Sequence, residues 1–134
     1  MATYVGVRTG QADTDGTRFD ARVTVDGQPL RHLSLHSPSG FAWGYGGSGP
    51  SDLALSILLH HFDQPHPLRH PDGTHTPQDW ESLSPAWDVH QSFKRRFVAN
   101  WGDEWTITTE EIQAWLGEPE QRASLEAWCE RRMT

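Results

Sequence analysis

The residues best suited to do chemistry lie in a glycine-rich segment, WGYGGSGP, at positions 43–50. An apolar stretch begins after Pro50, and its composition predicts a helix. Backbone amides at the start of a helix have no partner within the helix, and the helix dipole favours negative charge there. Glycines let such a backbone approach a phosphate or carboxylate closely. The segment therefore predicts either an anion-binding site or a sharp turn from a strand into a buried helix.

The candidate anion-binding residues come from two stretches of the chain. In the first, glycine amides and serine hydroxyls would contact the anion, and the neighbouring aromatic rings could stack on a base or sugar. In the second, a histidine and a lysine lie one helical turn apart with a glutamine between them, and could grip a phosphate or a partner's carboxylate. A solvated helix face is the alternative for this second group. The candidates are Trp43, Tyr45, Gly46, Gly47, Ser48, Gly49, Ser51, His90, Gln91 and Lys94.

Familiar glycine-rich motifs do not fit this segment. Residues 44–49 have the spacing G-x-G-x-x-G, but a dinucleotide-binding fold alternates strands with helices, whereas strands come first here. A Walker loop needs a Lys-Ser or Lys-Thr pair after its glycines, and none follows. A lipase-type G-x-S-x-G motif needs glycine where Pro50 stands. The sequence therefore indicates anion binding without one of these three motifs.

Two neighbouring histidines raise the hypothesis of a metal site. His60 and His61 are adjacent on the predicted helix, so their side chains point about 100° apart, unlike the i, i+4 pairs that hold metals. Further histidines follow at positions 66, 70 and 75. Solvated histidines near a helix end are the favoured interpretation, and we expect no metal or other cofactor.

Other histidines lie close to hydroxyls and raise the hypothesis of a small hydrolase. His36 could act with Ser37 or Ser39, and His90 could act with an acid. Neighbouring residues on a strand point to opposite faces, so the first arrangement would need a turn to bring its groups together. A non-enzymatic role is therefore favoured.

The N-terminal third of the chain predicts strands. Residues 18–25 alternate apolar and polar side chains, which is typical of a half-buried strand, and shorter β-prone runs occupy 3–8, 30–35 and 41–45. Turn-rich sequences separate these runs. Sequential strands joined by short turns predict an antiparallel four-stranded meander over residues 1–45.

The remainder of the chain predicts helices. Apolar residues surround the first of these helices, which indicates that it is buried, and Thr108 with Glu111 has the capping-box spacing of a helix start. A short edge strand is expected around Trp105. The predicted elements are a buried helix at 50–62, a Pro- and His-rich loop at 63–86, and a helical part at 87–134 with helices at 87–101, 108–117 and 119–132. The fold class is α+β in a single domain, 1–134, with the meander packed against three to four helices.

Composition narrows the range of partners and compartments. The chain of 134 residues has a net charge of −7, which argues against general nucleic-acid binding. It has one cysteine and no apolar run long enough for a membrane span, and its N-terminus lacks the apolar core of a signal peptide. We therefore expect a cytoplasmic protein without membrane contact. The oligomeric state stays open, a homo-oligomer included.

Three segments, LHSPSGFAWGYGGSGPSDLALSIL, HQSFKRRFVANW and WTITTEEIQAWL, carry a family resemblance. Together they resemble an uncharacterised family of bacterial and phage proteins, a domain of unknown function with an HSP-x-GF-x-WGYGGSGP signature. The resemblance spans residues 4–116, and the Pro- and His-rich loop and the tail after Gly117 look like additions. It implies no activity. The occurrence of such proteins on phages and mobile elements implies a counter-defence role in a bacterial or phage-infected cell.

Three functions follow as hypotheses. The favoured one is a small non-enzymatic protein, related to phages or mobile elements, that holds a phosphate-containing ligand such as a nucleotide signal at the glycine-rich loop. The first alternative is an acidic inhibitor that binds a host defence complex, in the manner of an anti-CRISPR protein. The second alternative is a small His-dependent hydrolase.

Overall fold

A computed structural model of the protein describes residues 2–9, 20–31, 41–63 and 85–133. Their strands form one sheet of order β3-β2-β1-β4, in which all neighbours are antiparallel. This confirms the predicted α+β class and four-stranded antiparallel sheet. The elements are β1 (Thr3–Thr9), β2 (Asp20–Val25), β3 (Gln28–Pro29), α1 (Ser48–His61), α2 (Ala86–Arg96), a 3₁₀ helix (Val98–Asn100), β4 (Glu104–Thr108), α3 (Thr109–Leu116) and α4 (Pro119–Met133).

A two-residue turn joins β2 to β3. Asp26 and Gly27 both have positive φ angles, 51° and 82°, which is the geometry that Asp-Gly sequences favour in tight hairpins. The Asp26 carboxylate also accepts a hydrogen bond from the Thr3 amide, 2.9 Å away. This contact ties the hairpin to β1. Beyond the turn, β3 covers only two residues before the described chain stops at 31, so most of the predicted strand 30–35 lies outside the described residues.

The fourth strand of the sheet is β4, and the prediction of a strand at 41–45 is wrong. The chain there is irregular, because Gly44 has a φ of 88° and donates its amide to the Val98 carbonyl at 2.9 Å. Trp43 and Tyr45 are two positions apart and would share one face of a strand, but Trp43 is fully buried and Tyr45 is 54% exposed. The short edge strand predicted around Trp105 is confirmed as β4.

Aromatic packing fixes the inner face of the sheet. In the antiparallel register Gly6 lies opposite Trp105, and the indole of Trp105 occupies the space that a Cβ at Gly6 would need. The same indole stacks on Trp101, with ring centroids 3.8 Å apart. It also meets the edge of Trp43 at 5.6 Å. Gly6 therefore permits a close contact that brings β1, β4 and the glycine-rich segment together.

Helix α1 is buried as its composition predicts. Every residue from Gly49 to Leu59 is buried, and α1 packs against α2 within one hydrophobic core. The start of the helix differs from prediction, because Pro50 is the third helical residue rather than the first. Asp52 lies beyond the first turn and is buried.

The predicted helix 87–101 ends earlier than expected. Helix α2 stops at Arg96, and a 3₁₀ turn follows before Trp101. The start of α3 matches prediction, because the Thr108 hydroxyl accepts a hydrogen bond from the Glu111 amide at 3.3 Å. No helix in the described part of the chain combines the length and apolar character needed to cross a membrane.

Side chains and backbone together close the C-terminal end of α1. The Tyr4 hydroxyl forms a hydrogen bond with Nδ1 of His60 at 2.7 Å, and the Gln113 amide nitrogen lies 2.9 Å from Nε2 of His61. The Asp63 amide donates to the His60 carbonyl at 3.1 Å, in a left-handed conformation with φ of 53°, as at many helix ends. Among the described residues, no three potential ligand side chains gather into a metal site.

Burial changes the proton affinities of two groups at this end. It raises the pKa of Tyr4 well above its ordinary value, and the nearby negative charge of Asp26 adds to the effect. The Tyr4 phenol therefore stays protonated. Burial also lowers the pKa of His61, and the positive charge that His60 can carry lowers it further.

Candidate functional site

Backbone amides without acceptors mark the N-terminal end of α1. Gly47 is the residue that precedes the helix, and it offers no side chain to cap it. No acceptor among the described residues receives a hydrogen bond from the amides of Gly46, Gly47, Ser48 or Gly49, whereas the Ser51 amide donates to the Gly47 carbonyl at 3.2 Å. The first turn of α1 also carries no acidic side chain. The positive end of the helix is therefore uncompensated.

The glycines of the loop serve two different purposes. A Cβ at Gly47 would come within 2.5 Å of the Tyr45 ring, and one at Gly49 would come within 2.9 Å of the Ala42 Cβ. These two glycines allow the sharp turn into the buried helix, which was one of the two predictions for this segment. A Cβ at Gly46 would have no atom within 4 Å, and Gly46 and Ser48 are exposed. The loop thus combines a crowded inner side with an open outer side.

Trp43 anchors the loop and is not part of its open side. Its indole is fully buried, and Nε1 donates to the Gly102 carbonyl at 2.6 Å. Arg8 reaches the loop from β1, donating from Nη1 to the Trp43 carbonyl at 3.2 Å and lying 5.5 Å from the centre of the indole. The predicted stacking role of Trp43 is therefore corrected to an anchoring role. Tyr45 retains the exposure that stacking on a ligand needs.

Arg8 is the residue at this site that sequence reasoning missed. It forms an ion pair with Asp103 at 3.0 Å, so one guanidinium connects β1, the loop and the segment before β4. The loop and Arg8 are separated by 35 positions along the chain. No local pattern signals such a contact, because it depends on the sheet and the loop being packed together.

A chain of hydrogen bonds connects the start of α1 with α2. The Ser51 hydroxyl lies 3.2 Å from the Gly47 carbonyl and 3.3 Å from Oε1 of Gln91, and it can donate to either. The Gln91 amide nitrogen lies 3.2 Å from Nε2 of His90, and Nδ1 of His90 lies 2.6 Å from the Trp87 carbonyl. These contacts fit a neutral His90 whose proton is on Nδ1. Gln91 is thereby held in a fixed orientation beside the loop.

His90 lies behind the site rather than on a polar surface. It is only 1% exposed, because both ring nitrogens have partners within the fold and the ring packs on Trp87 at 4.6 Å. The prediction that His90 contacts a ligand directly is therefore corrected: His90 positions Gln91. The same two contacts occupy the nitrogens that a general base would need. His36, Ser37, Ser39 and the histidines at 66, 70 and 75 lie outside the described residues.

Lys94 brings a positive charge to the loop. Its Nζ donates to the Gly46 carbonyl at 3.4 Å, and the side chain is half-buried. The predicted trio on α2 is therefore divided, with Lys94 at the loop surface, Gln91 beneath it and His90 in the core. The open amides, the helix dipole and this ammonium group all favour a negatively charged ligand at one place.

Sequence comparison assigns a family to this α+β protein with an open helix N-terminus. A family model described as a family of unknown function (DUF6166) matches residues 4–71 and 82–118. The protein belongs to this family, since the match covers most of the chain, and the predicted resemblance to a family of unknown function is confirmed. The match leaves out residues 72–81 and ends just before α4. No curated protein and no solved structure matches the chain.

Proposed function

We propose that the protein is a non-enzymatic binder of a small phosphate-containing ligand, such as a nucleotide signal, held at the loop Gly46–Gly49. The observation that carries this proposal is the run of consecutive backbone amides without acceptors at the positive end of α1. Such amides are ordinarily satisfied by a cap, by water or by a ligand. The loop has no side-chain cap, which leaves these amides open to water or to a ligand oxygen, and our proposal assigns them to the ligand.

The neighbouring side chains supply the other contacts of a phosphate site. Lys94 already reaches the loop, 3.4 Å from the Gly46 carbonyl, and a bound phosphate would be a stronger partner for its ammonium group. The Ser48 side chain is exposed and can add a hydroxyl donor. Tyr45, 54% exposed, offers a ring on which the base or sugar of a nucleotide can stack.

The biological role that we propose for this binding is sequestration of a nucleotide signal by a protein of phage or mobile-element origin, in the cytoplasm of a bacterial cell. The support for this role is the resemblance to phage and bacterial proteins described under Sequence analysis. A binder that removes a signal needs no catalytic groups. The packing of His90 within the fold agrees with a role that does not require a base.

A pair of glycine variants tests the proposed site. A Cβ at Gly46 and one at Gly102 would both face open space, so Gly46→Val and Gly102→Val should change stability by no more than about 0.5 kcal/mol. Only the first change places methyl groups over the open amides. In calorimetric titrations with inorganic pyrophosphate, Gly46→Val should lower the affinity by at least about tenfold, and Gly102→Val should leave it unchanged.

The same experiment contains the results that would overturn the proposal. Equal pyrophosphate affinity in the wild type and in Gly46→Val would show that the loop amides do not bind the anion. In a separate measurement, mass spectrometry of small molecules released from the denatured wild-type protein tests for a ligand that co-purifies with it. Conversion of that ligand to a product, abolished by His90→Ala or His36→Ala, would favour the hydrolase instead.

A second candidate function is the acidic inhibitor of a host defence complex. The observation that favours it is a set of exposed carboxylates on α3, on α4 and in the connection between them, at Glu110, Glu111, Glu118, Glu120, Glu126 and Glu130. Such a surface could contact a basic partner. Capture of a host complex that is lost in a Glu126→Lys, Glu130→Lys double variant but kept in Gly46→Val would support this function over phosphate binding.

A further inference from the structure

The sheet has an outer face, on the side away from α1. Side chains alternate between the two faces along each strand. On β1, Tyr4 lies in the hydrophobic core that α1 shares, whereas Val5 and Val7 are only partly buried. The neighbouring strands agree with this assignment, since Val23 on β2 and Ile107 on β4 are buried in the same core. Val5 and Val7 therefore lie on a face that the core leaves partly open.

Two rows of side chains cross this outer face from strand to strand. The register of β1 with its two neighbours places Val7 between Arg22 on β2 and Glu104 on β4. In the next row, Val5 lies between two threonines. Arg22 and Glu104 are both exposed. The outer face therefore has an apolar middle, with a positive charge on one side and a negative charge on the other.

This arrangement of charges is complementary to itself under a two-fold rotation. A second copy can be turned by half a turn about an axis that runs along β1 above Val7. Its β4 then lies over β2 of the first copy, and its β2 lies over β4. Each Arg22 faces Glu104 of the other copy, and the two copies of Val7 face each other. The strands stay within the angle of about 30° that is usual for aligned packing of two sheets.

We propose that this outer face is the contact surface of a homodimer, in which two sheets pack face to face. Ion pairs between Arg22 and Glu104 on both sides fix the orientation, and the valines between them are removed from water. The described part of the face spans three strands about 5 Å apart and the length of β4, which has 5 residues. It is smaller than the roughly 800 Å² per partner of a standard interface, so we expect a reversible dimer whose population depends on protein concentration.

Analytical ultracentrifugation of the full-length protein, over concentrations up to the millimolar range, tests this proposal. Arg22→Glu and Glu104→Arg each place two pairs of like charges against one another in the dimer, and each should raise its dissociation constant by about tenfold or more. An equimolar mixture of the two variants should regain the dimer, because every contact in the mixed pair joins opposite charges. Arg122→Glu changes the net charge as Arg22→Glu does, but at an exposed position on α4, and should leave the dissociation constant unchanged.

Three results would overturn this proposal. The first is a wild-type protein that stays monomeric at every concentration. The second is a dimer that either single variant fails to weaken. Edge-to-edge pairing of β4 with a second β4 would give this result for Arg22→Glu, since β2 is separated from that edge by β1. The third is a dimer that both variants weaken but the mixture does not restore, because the two charges would then not face each other across the interface.

Discussion

The two ends of helix α1 differ in whether the protein supplies hydrogen-bond partners for their polar groups. At its C-terminal end, Tyr4 and Gln113 contact the two histidines, and the Asp63 amide returns to the His60 carbonyl. At its N-terminal end, the amides of Gly46–Gly49 have no acceptor among the described residues, and no side chain caps the helix. The C-terminal end is closed by the protein itself, whereas the N-terminal end is left available.

Under the proposed function, this difference separates the residues that stabilise the fold from the residues that bind the ligand. One ring nitrogen of each histidine and the His60 carbonyl have partners within the protein at the closed end, so changes to these contacts should alter the free energy of unfolding. The loop amides at the open end have no acceptor among the described residues, so under the proposed function changes there should alter ligand affinity with little effect on stability. The loop is nevertheless held firmly from behind, by Trp43 and by the hydrogen-bonded chain from Ser51 to His90. Preorganised donors of this kind bind with a smaller entropic cost.

The largest effect is expected from a matched pair of tyrosine variants. Tyr4→Phe removes the hydroxyl that forms a hydrogen bond with His60 and should lower the free energy of unfolding by about 1 kcal/mol. Tyr45→Phe removes a hydroxyl from a residue that is 54% exposed and should change it by less than about 0.5 kcal/mol. Urea denaturation of both variants measures the difference. Equal losses would remove the contrast between the two ends.

A charge placed at the open end should move stability and binding in opposite directions. Ser48→Asp puts a carboxylate at the exposed first residue of α1, where it should raise the free energy of unfolding by about 0.5 kcal/mol through the helix dipole. The same carboxylate should repel an anion and weaken pyrophosphate binding. Ser48→Asn, which is polar but uncharged, is the control. Unchanged pyrophosphate affinity in Ser48→Asp would place the anion elsewhere.

The smallest effect concerns the pH dependence of the closed end. The pKa of His61 is lowered in the folded protein, mainly by burial and then by His60, so the unfolded chain binds this proton more readily. The contribution of a neutral His61 is fully present above its ordinary pKa of 6.5 and is lost as the pH falls below that value. The free energy of unfolding of His61→Gln should therefore decrease less between neutral pH and mildly acidic pH. Identical decreases in the wild type and in His61→Gln would contradict a lowered pKa of His61.

Much of the fold can be predicted from local patterns in the sequence. The apolar residues around α1 predict a buried helix, and the Thr108–Glu111 spacing predicts the start of α3, which the observed hydrogen bond confirms. The alternation of Phe41, Trp43 and Tyr45 is a misleading signal, because it resembles a strand. The positive φ of Gly44 and the burial of Trp43 against Gly102 depend on contacts with distant segments, which a local pattern does not contain.

The sequence predicts which segments form the candidate site, but it does not predict which of their side chains are buried. Helical spacing places His90 and Lys94 on one face, and the sequence therefore suggests equal access to a ligand. In the structure Trp87 and Gln91 occupy the nitrogens of His90, which lets the ring be buried, while Lys94 extends to the Gly46 carbonyl. No pattern in the sequence predicts that Arg8 contacts the loop, since this contact arises from tertiary packing alone.

The most direct test of the central claim is an NMR titration of the wild-type protein with inorganic pyrophosphate. The account predicts that the backbone amide signals of residues 46–49 shift strongly, in the direction expected for new hydrogen bonds to an anion. The amide signals of residues 60–63, at the closed end of the same helix, should not move. Absence of shifts at 46–49 while other parts of the protein respond, or absence of any response, would contradict the claim that this open end binds an anion.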